Sequence, residues 1–157
     1  MKILTTAFLL LFLSACATTG ENFYTEEKVG NGAIIKKGGQ RDGAFTWTSF
    51  TLYSVNGKRV PYGFVSAPSQ TKLAPGKSKI VILASFNDGI GAPYEAKIPL
   101  EIELTSETTY VISGKVSGAS VETWLANEST KEKIGTSSYA IATRMYLGPT
   151  VIRLPAP

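Results

Sequence analysis

The segment Tyr94-Glu95-Ala96-Lys97-Ile98-Pro99-Leu100-Glu101-Ile102-Glu103-Leu104 decides the fold class. Tyr94, Ala96, Ile98, Leu100, Ile102 and Leu104 share one parity, and charges or Pro99 hold the other. A period of two puts one dry face and one wet face on an extended strand, whereas a helix would scatter the same residues around its axis. Pro99 has no N–H for a ladder, so the strand is expected at a sheet edge, or bulged, at that point.

The neighbouring segments read the same way. Lys79-Ile80-Val81-Ile82-Leu83-Ala84-Ser85-Phe86 is apolar on both parities, as expected of a central strand. It follows Leu73-Ala74-Pro75-Gly76, where Pro75 fixes φ and Gly76 tolerates a positive φ, the needs of a type II turn. Upstream, the β-rich run from Phe45 to Val55 meets Asn56-Gly57 and then Lys58-Arg59-Val60. A type I′ hairpin turn needs two residues at positive φ, and Asn-Gly supplies them. Further strands are expected at Tyr110 to Val116, Val121 to Ala126, Tyr139 to Tyr146 and Val151 to Leu154. No stretch combines a period of about 3.6 residues with capping signals, which predicts almost no helix. The pattern is that of an all-β chain, an antiparallel two-sheet sandwich of about seven to nine strands.

Composition removes whole classes of chemistry. The 157 residues carry 16 Lys plus Arg, 12 Asp plus Glu, one Cys and no His. Without His there is no Ser-His-Asp triad, no imidazole-ligated zinc and no imidazole proton relay. A single Cys excludes an internal disulfide, a CxxC redox pair and a thiolate metal cluster. A chain of this size buries roughly two thirds of its unfolded surface and needs no disulfide for stability.

The start of the chain reads as an address. Met1-Lys2 precedes an apolar run of 11 residues from Ile3 to Leu13, followed by Ser14-Ala15-Cys16. Spanning a bilayer takes about 20 apolar residues, so this run is a secretory signal rather than a membrane helix. Leu13-Ser14-Ala15-Cys16 resembles the bacterial lipobox and matches it at all four positions. The resemblance implies cleavage between Ala15 and Cys16, a diacylglyceryl thioether on the Cys16 sulfur, and acylation of the new amino group. A thiol is the side chain suited to that transfer. Each buried methylene contributes about 0.8 kcal/mol, so two or three chains anchor a protein that one chain would hold only marginally. Cleavage leaves 142 residues with fifteen cationic and twelve acidic side chains, a formal charge of +3.

The resulting plan is a signal peptide over 1–15, the lipidated Cys16 and a tether over 16–32, and the sandwich over 33–157. Residue Ala17 follows the anchor. Absence of Asp there implies, by the enteric sorting pattern, the outer membrane with the domain facing the periplasm. In a Gram-positive source the same motif implies the outer surface of the cell membrane. No cofactor is expected beyond the covalent lipid on Cys16.

A second resemblance covers the body. Asn56-Gly57-Lys58, then Leu73-Ala74-Pro75-Gly76-Lys77 running into Ile80 to Phe86, then Thr109-Tyr110-Val111-Ile112, then Val121-Glu122-Thr123-Trp124-Leu125 with Thr130 and Ile134-Gly135 follow in that order. This order resembles small bacterial lipoproteins carrying a transthyretin-like or PEGA-like β-sandwich, over roughly residues 45–135. It implies a fold and an envelope location, with no catalytic site to carry over.

Candidate chemical constellations are weak. Glu101 and Glu103 sit at i and i+2, about 7 Å apart on a polar strand face, and the pattern shows no pocket around them. Ser69-Gln70-Thr71-Lys72 matches Ser-x-x-Lys but lies between Pro68 and Pro75, with no Lys-Thr-Gly downstream. Gly76-Lys77-Ser78 lacks the upstream Gly of a phosphate loop and precedes a strand. Asn87-Asp88-Gly89 offers calcium one carboxylate in what reads as a turn. No catalytic residue and no metal ligand is therefore expected.

Basic residues are the remaining candidates. Lys36, Lys37 and Arg41, and Lys58 and Arg59, are possible contacts for an anionic surface. So are Lys72, Lys77, Lys79, Lys131 and Lys133, facing lipopolysaccharide phosphates, anionic lipid or peptidoglycan carboxylates. The aromatics Trp47, Tyr53, Tyr62, Phe64, Phe86, Tyr94 and Trp124 either fill a core or line a glycan groove. The expected role is a non-enzymatic binding or adaptor module for an envelope protein. Binding of peptidoglycan or another glycan is the alternative, and a small envelope hydrolase a third. Nucleic acid is not an expected partner, because lipidation places the domain across the inner membrane from it. Strand addition is a concrete binding mechanism, and it requires a sheet edge that is long and unblocked.

Replacing the one thiol tests the anchor. Cys16→Ala protein is expected to lose palmitate labelling in cells and to move from the detergent phase to the aqueous phase on Triton X-114 partitioning.

Overall fold

A computed structural model describes residues 23–25, 30–61 and 67–145. Its strands are β1 (Ala33–Lys36), β2 (Gly38–Arg41), β3 (Thr46–Val55), β4 (Lys58–Arg59), β5 (Gln70–Leu73), β6 (Gly76–Asp88), β7 (Tyr94–Leu104), β8 (Thr109–Ser117), β9 (Ser120–Asn127), β10 (Lys133–Ile141) and β11 (Thr143–Arg144). The periodic segment forms β7 with the predicted bounds, and β6 lies between β7 and β3 as a central strand. Their ladder runs unbroken from Gly76 opposite Leu104 to Phe86 opposite Tyr94. Ile80, Ile82, Ala84 and Phe86 on β6 face the same side as Ala96, Ile98, Leu100, Ile102 and Leu104 on β7, and all nine are buried. The other parity of β6 is only half-buried at Val81 and Leu83, since the outer face of a two-layer structure has no third layer to cover it.

The strands form two sheets, ordered β10-β9-β8-β1-β5 and β11-β7-β6-β3-β2, with β4 also paired to β3. Ile35, Leu73, Tyr110, Ile112, Val121 and Leu125 of the first sheet face the β6–β7 side chains of the second, in one core cluster. The buried Tyr110 hydroxyl is satisfied, accepting from the Thr105 N–H at 3.0 Å. The all-β two-sheet expectation therefore holds, and no helix occurs among the described residues. Eleven strands replace the expected seven to nine because the chain changes sheets twice, each crossing splitting one run into two. One pair, β1 with β8, is parallel.

The turns follow their chemistry. Asn56 and Gly57 adopt φ of 48° and 81°, and Gly76 adopts 105° ahead of β6. Pro99 lies opposite Val81 with no bulge, and the free side of β7 explains its tolerance. The Pro93 carbonyl accepts from Met145 on the β11 side, so by alternation residues 97, 99, 101 and 103 aim their backbone groups the same way, where β11 reaches only Tyr94 and Glu95. The missing N–H of Pro99 thus falls on an edge.

Three strands and one boundary depart from the sequence expectation. β1, β2 and β5 are too short to carry a readable period. β10 begins at Lys133, earlier than expected, because Gly135 at φ 70° and a register shift between Ile134 and Ser138 break the alternation. The expected strand at Val151 to Leu154 lies outside the described residues, as do Tyr62 and Phe64.

The first crossing is a glycine device. Lys37 donates its N–H to Ser69 O at 3.0 Å as the chain leaves β1, and the next residue, Gly38, already pairs with Phe50 in the other sheet. A Cβ on Gly38 would sit 1.7 Å from the Ile112 carbonyl oxygen. The second crossing is at buried Ala142, whose N–H donates to Ala119 O at 2.8 Å before β11 joins β7.

Gly38→Ala is expected to destabilise the domain by about 3 kcal/mol, since a backbone carbonyl cannot swing aside for the new methyl. Gly30→Ala, with open space around it, is expected to stay within about 0.5 kcal/mol of the parent in the same urea titration.

Candidate functional site

Where β1 leaves its sheet, β8 loses a neighbour. β1 pairs with β8 only at Thr109, Tyr110 and Val111, and Gly38 meets Ile112, so none of the described strands covers that side of β8 from Ser113 to Ser117. Thr108 O accepts from Ile34 on the β1 side and Thr109 O accepts from Glu128 on the β9 side. By alternation Ile112, Gly114 and Val116 aim their N–H and C=O groups at the uncovered edge. Ile112 meets Gly38 there, and Gly114 and Val116 have no strand partner on that side.

Across from it lies the outer edge of β2, and the two edges flank a cleft of about 1270 Å³. Trp47 to Phe50 of β3 contribute to its lining. Gly114 is needed for this shape: a Cβ there would lie 2.5 Å from the Phe50 ring. Its presence in an apolar strand was the available sequence signal for a close approach, as Gly38-Gly39 was for the crossing.

The charges at the cleft have one sign. Lys37, Arg41 and Lys115 line it, and no carboxylate of the described residues does. Arg41 donates to the carbonyls of Gly43 at 3.2 Å and Ala44 at 3.5 Å, which orient the guanidinium without neutralising it. The aromatic residues lining the cleft are half-buried Trp47 and buried Phe50.

The structure separates the basic residues grouped from the sequence. Lys36 is held by Glu128, its Nζ 2.7 and 2.8 Å from the two carboxylate oxygens. Lys37 and Arg41 lie at the cleft, beside the start of β3, while Lys58 and Arg59 pair with its far end at Val55 and Ser54. Arg59 also stacks over the Tyr53 ring at 5.0 Å, as does Lys97 at 4.3 Å. Lys72 reaches Gly30 O at 2.7 Å, and Lys79 pairs with Glu101 at 3.0 Å between two highly exposed side chains.

Glu101 and Glu103 stand on the exposed face of β7. Ser69 precedes β5 and gives its carbonyl to Lys37, and Thr71 of the Ser-x-x-Lys segment points into the core. Gly76-Lys77-Ser78 opens a strand. Asn87 and Asp88, expected in a turn, are the last residues of β6, paired with Trp47 and Thr46, and Asn87 Oδ1 accepts from the Gly89 N–H at 3.3 Å just beyond it. Of the aromatics that the sequence offered for a groove, Phe86 is buried and stacks on Tyr94 with centroids 5.2 Å apart, while Trp47, Tyr53 and Trp124 are half-buried. Leu13, Ser14, Ala15 and Cys16 lie outside the described residues.

Comparison with protein-family models, curated proteins and solved structures finds no match for the chain.

A polar cluster closes the opposite side of the same sheet. Tyr139 of β10 stands directly opposite Glu122 of β9, and Lys133 Nζ lies 3.5 Å from Glu122 Oε1. Hydrogen bonds from Ser137 and Tyr139, followed by the charge of Lys133, hold the Glu122 carboxyl below its ordinary 4.5. The same contact raises the Tyr139 phenol, which donates to the carboxylate. A depressed carboxyl stabilises the fold fully above its unfolded value and loses that contribution as pH falls through the folded value. Thermal melts of the parent are therefore expected to fall on acidification below about pH 4.5 more steeply than those of Glu122→Gln.

Proposed function

We propose that the chain is a lipid-anchored envelope protein that works without covalent chemistry, as an adaptor holding a partner protein at the membrane through the uncovered edge of β8. The observation that carries this reading is the edge-facing N–H and C=O groups of Gly114 and Val116, which no described strand pairs, beside the open outer edge of β2. Exposed edges are ordinarily blunted by Pro, inward charges or bulges. The β7 edge carries Pro99 and β10 carries a register shift, whereas the β8 edge has neither device.

The attachment point supports the same reading. Phe23 bridges to Arg59, Tyr24 donates its N–H to Arg59 O at 2.7 Å, and the Tyr24 hydroxyl donates to Lys72 O at 2.8 Å. The chain thus joins the domain near the Asn56–Gly57 turn, while β2 and the cleft border β3 at Trp47 to Phe50. The two positions are roughly 15–20 Å apart along β3. With Cys16 in the bilayer, the residues before Phe23 reach at most about 25 Å. The turn end is then held near the lipid and the cleft lies farther from it, accessible to a partner in the periplasm. In this reading the anchor is in the outer membrane, and the lipid on Cys16 is the only non-protein group.

Glycan binding is the competing outcome. Sugar rings stack on exposed aromatic faces, and the cleft offers one half-buried indole, Trp47, beside buried Phe50. Backbone edge groups instead suit another polypeptide.

A photo-crosslinking residue at Ser113, with a second at Glu101 on the opposite edge as control, tests this in intact cells. One discrete protein adduct is expected from position 113, dependent on Cys16, and none from position 101. Equal adducts at both positions, or capture of peptidoglycan alone at 113, would overturn the adaptor reading.

A further inference from the structure

We infer that the segment taken by this cleft is an extended, acidic stretch of the partner, paired along β8 from Ser113 to Ser117 with its carboxylates set against Lys37, Arg41 and Lys115. The inference rests on the adaptor reading and specifies its partner.

Three observations converge on it. The cleft, at about 1270 Å³, exceeds the roughly 300–1,000 Å³ usual for small-molecule pockets and suits a chain segment. The uncovered part of β8 admits a strand of about five residues, some 17 Å long. It presents the N–H and C=O groups of Gly114 and Val116, so main-chain pairing supplies affinity whatever the side chains. The side chains then decide the partner. Lining charge is wholly positive, and Arg41 is pre-oriented by the neutral Gly43 and Ala44 carbonyls, which leaves its charge available. An incoming strand alternates its side chains. One parity would point outward beside Lys115, and the other inward toward Phe50, where small or apolar residues fit.

The chain's own C-terminal segment does not meet that specification. The described chain ends at Met145 beside β11, at the far end of the sheet order from β2, and residues 146–157 include Arg153 and no acidic side chain.

Binding of fluorescent octapeptides to the full mature lipoprotein in neutral detergent tests the inference. One peptide alternates Val with Asp and the other Val with Lys. The acidic peptide is expected to bind and the basic one not, with affinity falling as salt rises. Val116→Pro removes an edge N–H while leaving the β9 ladder intact, and is expected to weaken binding at least about tenfold. The combined Lys37→Glu, Arg41→Glu, Lys115→Glu variant is expected to reject the acidic peptide and accept the basic one, a gain that an unfolded protein cannot show. Equal affinity for both peptides, or unchanged preference in the charge-reversed variant, would overturn the acidic specification even if Ser113 still captures a protein in cells. Soluble peptidoglycan fragments binding in place of either peptide, unaffected by Val116→Pro, would overturn strand pairing altogether. Acidic-peptide binding with no protein adduct at Ser113 in cells would overturn the adaptor reading.

Discussion

The close approach of Gly38 to the Ile112 carbonyl is the constraint on which the architecture turns. At that point the chain has just left one sheet and joined the other, and only a residue without a Cβ fits against the carbonyl oxygen. The crossing closes the sandwich at one end, because β1 completes the first sheet beside β5 and β8 while β2 completes the second beside β3. It also leaves β8 half-covered. A single steric requirement thus creates both the closed end of the core and the open edge beside it.

The core explains why this edge persists. Inward residues of β6 and β7 meet Tyr110, Ile112, Val121 and Leu125 from the other sheet, so β8 is fixed by packing through its face and by β9 through one side. Burial of each large aliphatic side chain contributes about 1.5–3 kcal/mol, more than the pairing of one additional strand residue would add. The fold has no need of a further strand to hold β8 in place. Its edge groups at Gly114 and Val116 meet no other described strand, and Phe50 against Gly114 holds the two sheets together beside the cleft.

Charge distribution follows from the same topology. Side chains that look like one basic group in the sequence are divided by the crossing and by the length of β3. Lys36 is paired with Glu128 in the turn after β9, Arg59 lies over Tyr53 beside Tyr24, and Lys37 and Arg41 gather with Lys115 at the cleft. Lys115 is far from the other two in sequence, and only the sheet order makes it their neighbour. The two ends of the domain therefore differ: one holds Phe23 and Tyr24 against Arg59, and the other carries the open edges.

The long strands were legible because burial on one face writes a period of two into the residues themselves. β7 is readable from Tyr94 to Leu104 for that reason, the Asn56–Gly57 and Pro75–Gly76 turns because they need particular φ values, and Pro99 because a missing N–H belongs at an edge. These local properties determined the all-β class, the hairpins and the edge position of β7 without reference to the rest of the chain. The resemblance of Leu13-Ser14-Ala15-Cys16 to a lipobox is likewise read from four adjacent residues. The short strands β1, β2 and β5 carry too few residues for a period, and which sheet each joins depends on packing against distant partners. The cleft belongs wholly to that second category. Its walls come from two segments, Lys37 to Phe50 and Val111 to Val116, that lie far apart in the sequence, and nothing in either segment alone marks an uncovered edge. Sequence determined which residues are extended and which faces are dry; tertiary structure decided which backbone groups were left unpaired and which cations stand beside them, because pairing and proximity are properties of the assembled sheets.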